Sequence, residues 1–321
     1  MMYAWRFGRK VDAQTVMLWL PTTKKYIADD GTDFDIGLLF DYFQLNSRDE
    51  FSDLRIMNGK TWLNHDLRVV KDVLSLDPAR TPEETKEALY KHGDTFITDD
   101  LVGYRFDNES RWDMLSDLSR QFKSLPIEPS ITKQLDAISS ELSGEPYTIV
   151  HVRRGDVMRV LRSNLEAGCV GDDDLQQLLK RTAPVQHYLD IIEEHGVLKD
   201  SRVLVSSDDP TVAKKIQLRL GEDKCKRVSD FKFKGHKIQR DFFDFLIFVR
   251  AQRIIGTRGS VYGKYASIFG GSEFIDVVFD PTPSELENYF NLEVIAGLDI
   301  PMSLLNESRE RLLQMRAQMV A

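Results

Sequence analysis

The chain has 321 residues, 42% hydrophobic and 29% charged, with 19 Gly and 11 Pro; this composition excludes disordered, collagen-like and coiled-coil classes and leaves room for about two domains. Asp and Glu number 51 against 43 Lys and Arg, a formal net charge of -8, so there is no global basic field for gripping nucleic acid or an anionic membrane. A small anion can be held only by a local cluster of Arg or Lys.

In chain order, Tyr3 to Lys10 reads as the tail of a helix and Thr15 to Leu20, before Pro21, as a strand. The following stretch is turn-rich and charged at Asp29-Asp30-Gly31, Asn58-Gly59 and Ala79 to Glu87. Asp113 to Phe122 is helical, and Ser124 to Ser130, with two prolines, reads as a connection. From Tyr147 the pattern becomes regular. Tyr147 to Val152 is a β-branched strand bounded upstream by Gly144 and Pro146. Pro184 to His195 carries a helical apolar stripe at Val185, Tyr188, Leu189, Ile191 and Ile192. A strand at Arg202 to Val205 runs into Ser206-Ser207-Asp208-Asp209-Pro210, where an Asp cap followed by Pro starts a helix ending before Gly221. A strand at Lys226 to Val228, a helix at Phe242 to Ala251, a strand at Arg253 to Gly256, a helix at Ser260 to Phe269 and a strand at Glu273 to Val278 follow. Pro301 to Ala321 is a charged amphipathic helix expected to pack across domains. Strands alternating with helices imply an α/β, Rossmann-like domain with a parallel sheet, and such sheets bind ligands beyond the carboxyl ends of their strands.

The most informative of those ends is His151-Val152-Arg153-Arg154-Gly155-Asp156. A strand stops, and two arginines and an imidazole gather beside a glycine that permits a tight turn. The planar guanidinium pairs well with phosphate oxygens. A solvated Arg-rich turn with Asp156 as ion-pair partner is the plainer reading. No metal-ligand spacing exists among His65, His92, His151, His187, His195 and His236. Asp172-Asp173-Asp174 mimics an Asp-x-Asp metal motif but reads as a solvated helix start.

The hexapeptide resembles the first motif of the GDP-fucose-dependent fucosyltransferase superfamily, which includes the alpha-1,6-, alpha-1,2- and protein O-fucosyltransferases. Val203 to Pro210 is similar to the second motif, and Phe243-Asp244-Phe245-Leu246 with Ala251, Ile254 to Thr257, Ser260 and Ala266 resembles the third. The resemblance covers roughly residues 145–272. It implies a GT-B-like architecture of two Rossmann-like domains with parallel sheets: an acceptor-side domain over residues 1–135 and a GDP-sugar-binding domain over 136–321 with the C-terminal helix. It also implies an inverting, metal-independent transfer of fucose from GDP-fucose to a hydroxyl of a glycan acceptor. Arg153 would contact the beta-phosphate and stabilise the departing GDP, with Arg154 beside it. His151 would approach the nucleoside side, and Asp244 would accept from guanine N1 and N2. Ser260, with the backbone near Val261, would bind phosphate at a helix N-terminus, and Asp208 and Asp209 would shape the turn facing the donor. Each has a structural alternative: a buried ion pair for Asp244, a helix cap for Ser260, a cap and turn for Asp208 and Asp209. Asp156 is the base candidate inside the motif, and pairing with its neighbouring arginines is the alternative.

Family members open with a strand, a Gly-rich donor loop and a helix, and this chain begins at what looks like that helix. The expectation is that the opening strand and loop are missing, which makes a non-catalytic nucleotide-sugar-binding protein the rival reading; a transferase using another nucleotide sugar is the other. No stretch near Met1 has a basic-then-apolar leader and no run approaches the roughly 18 apolar residues of a spanning helix. The two cysteines, Cys169 and Cys225, lack framework spacing and suit a reducing compartment. A soluble cytoplasmic protein that binds no nucleic acid is expected.

Overall fold

The computed structural model describes residues 2–12, 15–19, 39–41, 44–45, 48–58, 81–90, 106–107 and 109–320. The turns expected at 29–31 and at Gly59 lie outside them, as do His65 and His92. The chain divides into two compact units: Met1–Ala137 with Phe233–Leu246 and Ile268–Gly271, and Ile138–Lys232 with Ile247–Ser267 and Ser272–Ala321.

In the first unit, helix Met2–Lys10 precedes strand β1 (Thr15–Trp19), which pairs in parallel with β2 (Leu54–Asn58), Thr15 opposite Leu54. These two strands form the only sheet among the described residues of this unit. Trp5 is fully buried and its indole N–H donates to Asp53 at 3.1 Å. Helix Arg111–Ser124 starts at Ser110, whose hydroxyl accepts from Asp113 N–H while the Asp113 carboxylate accepts from Ser110 N–H. This reciprocal cap satisfies two otherwise orphaned donors. Phe122 of that helix stacks on Phe269 with centroids 4.5 Å apart.

Two expectations for this half are corrected. In the charged segment expected as a turn at 79–87, the described residues 81–87 are not one: Thr81 accepts from Glu84 N–H, Glu84 accepts from Thr81 N–H, and helix Pro82–Tyr90 follows. Thr-Pro-Glu-Glu is a readable helix start that the acidic composition obscured. The connection expected from Ser124 ends early, because Pro129 opens helix Pro129–Glu141. Proline is well suited to a first helical position, so it begins this element instead of breaking it.

The second unit is built on β3 (Tyr147–Val152), β4 (Arg202–Ser207), β5 (Cys225–Arg227), β6 (Arg253–Thr257) and β7 (Glu273–Val277), all parallel, in the order β5-β4-β3-β6-β7. Every residue of β3 is buried, as expected of a central strand covered on both faces. Val150, Val152, Val203, Val205 and Ile255 pack with Tyr188, Ile192, Val212 and Ile216 from helices Val185–Glu194 and Pro210–Leu220. A second cluster joins Met158, Leu161, Leu165, Leu178, Phe290 and Leu312. The helix after β4 begins as its sequence dictates: Asp209 accepts from Thr211 and Val212 N–H, with Pro210 at the first position. The strand expected at 226–228 stops at Arg227, where Val228–Asp230 forms a single 3-10 turn. Helix Met302–Val320 finds packing partners inside this unit, in helices Asp172–Arg181 and Pro283–Tyr289. Its Arg309, Arg311 and Arg316 pair with Glu287, Asp172 and Asp280. Among the described residues no helix is long and apolar enough to cross a membrane.

Candidate anion-binding site at the sheet edge

The strand order fixes where a ligand can sit. From β3 the sheet grows through β4 to β5, and on the other side through β6 to β7, so β3 and β6 flank the point where the winding direction reverses. In such sheets the crevice opens beyond the carboxyl ends of those two strands. The register places His151 of β3 opposite Ser206 on one side and Gly256 on the other. The turns that follow carry Arg153-Arg154-Gly155-Asp156 and Thr257-Arg258-Gly259-Ser260.

The two arginines diverge as the chain leaves the strand. Arg154 turns inward and is 3% exposed; its guanidinium donates to the Ala183 carbonyl at 3.1 Å and to Glu293 at 2.5 Å. Arg153 turns outward, with 53% of its side chain exposed, and donates to Asp156 at 2.9 Å; its Nε lies 3.4 Å from Asp208. Burial works against ionisation of Asp156, but the Arg153 hydrogen bond and charge outweigh it and hold the carboxyl below its usual range.

Asp208 has a role that its sequence position does not announce. Its carboxylate accepts from the backbone N–H groups of Arg154 (2.9 Å), Gly155 (2.9 Å) and Asp156 (3.2 Å). It therefore caps helix Gly155–Glu166 from the neighbouring turn and fills the anion-binding end of that helix with a charge of the protein's own. The cap also explains Gly155. A Cβ there would lie 2.7 Å from the Asp208 carbonyl oxygen, so the residue is glycine to admit the Asp208 backbone, a different reason from the tight turn expected. Asp209 serves the next helix instead, as its N-cap.

On the β6 side, Gly259 has φ +76, a left-handed conformation that favours glycine, and helix Val261–Gly270 follows. Ser260 is buried and its hydroxyl lies 3.0 Å from His151 Nε2. His151 is 6% exposed, meets Phe248 edge-on at 5.1 Å, and its Nδ1 has no partner among the described residues. Burial, with Arg153 adding to it and Asp208 opposing, lowers its pKa to about 4, so the ring is neutral near pH 7. Val261 is 61% exposed at the head of the helix. Arg258 is also exposed.

Asp244 belongs to the first unit, on helix Lys237–Val249. Arg240, one turn earlier, pairs with it at 2.9 Å. Burial raises the Asp244 pKa and Arg240 opposes that shift. The 29% exposure of its side chain and the Arg240 partner reduce the dry-core cost that the flanking phenylalanines implied. Asp172-Asp173-Asp174 begins helix Asp172–Arg181, with Asp174 accepting from Gly171 N–H, and among the described residues no group of His, Cys, Asp or Glu could hold a metal ion.

Sequence reasoning missed Glu293 and Tyr188 as parts of this edge. Glu293 lies 139 positions from its partner Arg154, and no local signal could reveal it. Thr257 lies in the stretch at the end of β6 where chemistry was expected, but no role was assigned to it. A surface groove of about 400 Å³ is lined by Val185, Gln186, Leu189, Lys215, Leu218, Arg219 and Glu293. Its one residue in common with the turn's hydrogen bonds is Glu293.

No family model matches the chain, and no curated protein matches it. Solved structures do. The chain is similar to POFUT1 in complex with GDP-fucose at 13% identity, covering 86% of this chain and 92% of that chain with a TM-score of 0.45. It is similar to POFUT1 in complex with GDP at 15% identity, covering 87% and 93%, TM-score 0.45. It is also similar to the fucosyltransferase NodZ from Bradyrhizobium, at 13% identity, covering 83% and 86%, TM-score 0.45.

Proposed function

We propose that the chain binds a nucleoside diphosphate sugar at the edge between β3 and β6 and transfers its sugar, with GDP-fucose as donor and a glycan hydroxyl as acceptor. One observation carries the reading: the half-exposed Arg153 stands at the topological switch point of a parallel sheet, beside the turn that leads into helix Val261–Gly270. In the transfer, the acceptor oxygen attacks the anomeric carbon and the bond to the beta-phosphate breaks. The acceptor proton passes to a base, and the negative charge collects on GDP. Positive charge near that leaving oxygen lowers the barrier. Arg153 supplies it in this reading, while Arg154, locked to Glu293, holds the turn. The low pKa of Asp156 suits it to orienting Arg153 better than to accepting a proton. Ser260 and the backbone at Val261 receive phosphate, and His151 stays neutral toward the nucleoside.

The direct experiment is GDP titration by calorimetry together with release of GDP from GDP-fucose across a panel of glycan acceptors. The proposal expects GDP to bind in preference to ADP and UDP, and Arg153→Ala to weaken binding at least tenfold and stop transfer. Normal turnover by Arg153→Ala overturns the assignment. A second reading, binding without transfer, is favoured by one feature. Asp156 and Asp208 together balance the Arg153 charge before any ligand arrives. Tight GDP binding with no release of GDP from GDP-fucose on any acceptor selects that reading.

A further inference from the structure

We propose that Thr257 is a positioning residue for Arg153, fixing the backbone from which that guanidinium reaches the ligand; the inference rests on the anion-binding role given to Arg153 above. The Thr257 side chain is 3% exposed and its hydroxyl has three neighbours. They are the Arg153 backbone N–H at 2.8 Å, the Tyr188 hydroxyl at 2.6 Å and the His151 carbonyl at 3.3 Å. A hydroxyl has one hydrogen and two lone pairs. The Arg153 N–H can only donate and the His151 carbonyl can only accept, so Thr257 accepts from the first and donates to the second. Its remaining lone pair takes the Tyr188 hydrogen. Burial raises the Tyr188 pKa, which keeps that hydrogen in place. The whole hydrogen-bonding capacity of one buried hydroxyl is thus spent on holding three elements: β3, β6 and helix Val185–Glu194.

The register shows why a side chain is needed here. Toward β4, the pairing of β3 continues to Val152 opposite Ser207, but toward β6 it ends at His151 opposite Gly256. Arg153 is the first residue past β3, two beyond the last pair with β6, and Thr257 is the last residue of β6. The Thr257 hydroxyl accepts the N–H that an extended ladder would otherwise have served. Asp156 and Asp208 then aim a guanidinium whose backbone is already fixed. Without the hydroxyl, the arginine would search a wider range of positions, and ligand binding would have to restrict it.

The test is a binding cycle on the full-length chain. Thr257→Val keeps the shape and removes the hydroxyl, Thr257→Ser keeps the hydroxyl, and each is made with Arg153 present and with Arg153→Ala. GDP affinity is measured by calorimetry and folding by circular dichroism. The proposal expects Thr257→Val to weaken GDP binding five- to twentyfold and Thr257→Ser to restore it to within twofold of the parent. It expects the valine effect to vanish in the Arg153→Ala background, because a residue acting through Arg153 is non-additive with its removal. Thr257→Val binding GDP as the parent does, or a full valine effect without Arg153, overturns the positioning role. If Thr257→Val does not fold, Thr257→Ala, which leaves room for a bridging water, takes its place in the cycle under the same criteria. Failure of the parent chain to bind GDP refutes the functional reading itself, so the two failures are distinguishable.

Discussion

Asp208→Ala is the sharpest test of how the arginine turn is built. The substitution leaves three backbone N–H groups at the head of helix Gly155–Glu166 without their acceptor. A hydrogen bond to a charged group contributes about 1.5–3 kcal/mol net. Arg154 is buried, so its N–H loses nearly the full amount, roughly 2 kcal/mol by that scale. Gly155 and Asp156 are partly exposed, and water recovers a good part of their bonds. The 3.4 Å pair with the half-exposed Arg153 adds under about 1 kcal/mol. The expected total is about 3 kcal/mol, which lowers Tm by roughly 6–12 °C for a unit of 150–250 residues. Asp208→Asn keeps one acceptor oxygen without the charge and is expected to lose about half as much. Thermal melts followed by circular dichroism, with amide exchange at Arg154–Asp156, read the effect. A melting temperature for Asp208→Ala within about 1 °C of the parent, with unchanged amide protection, refutes the capping argument.

Gly155→Ala is expected to lose about 1–3 kcal/mol as an overpacking change, because its Cβ would meet backbone, not a flexible side chain, at 2.7 Å; a melt equal to the parent's rules this out. His151 has a folded pKa lowered to about 4 from an ordinary 6.5, so between those values the unfolded chain binds more protons. Stability is then complete above pH 6.5 and falls as pH drops toward 4, by up to about 3 kcal/mol at 1.36 kcal/mol per pKa unit. Denaturant titrations from pH 7 to 4.5 should show a fall that His151→Gln flattens, and parallel curves for the two proteins would contradict a neutral buried ring. Cys169 is exposed, whereas burial pushes the Cys225 thiol up to about 12. An aromatic disulfide reagent should therefore label one thiol in the native protein and a second only on unfolding, with the peptides identified by mass; native labelling of Cys225 would contradict the packing of β5.

What the sequence alone determined is the part governed by short windows. The β-branched run at Tyr147 to Val152 gave β3 with the same bounds, because Tyr, Thr, Ile and Val suit a covered, pleated strand and Gly144 and Pro146 mark its start. Asp209-Pro210 announced a helix whose cap and first residue are chemically specialised for those places. Alternation of such elements was enough to expect a parallel sheet, and hence to look for chemistry at the turns after β3, β4 and β6. The same local reading failed at Thr81-Pro82 and Pro129, where proline opened a helix and was taken as part of a turn or connection.

Only the tertiary structure decided what each polar side chain at that edge does. Arg153 and Arg154 are equivalent as letters, yet one faces solvent and the other is locked to Glu293, 139 positions away. Asp208, expected to shape the donor-facing turn, caps a helix that begins 53 residues earlier. Ser260 and His151 turn toward each other across 109 residues. The physical reason is common to all three. Backbone preference is set by neighbours in the chain, but a hydrogen bond or ion pair is made with whatever the strand order and register bring within about 3 Å. The order β5-β4-β3-β6-β7 brings the turns after β3, β4 and β6 together, and it is there that an acidic chain exposes the arginine on which its proposed function rests.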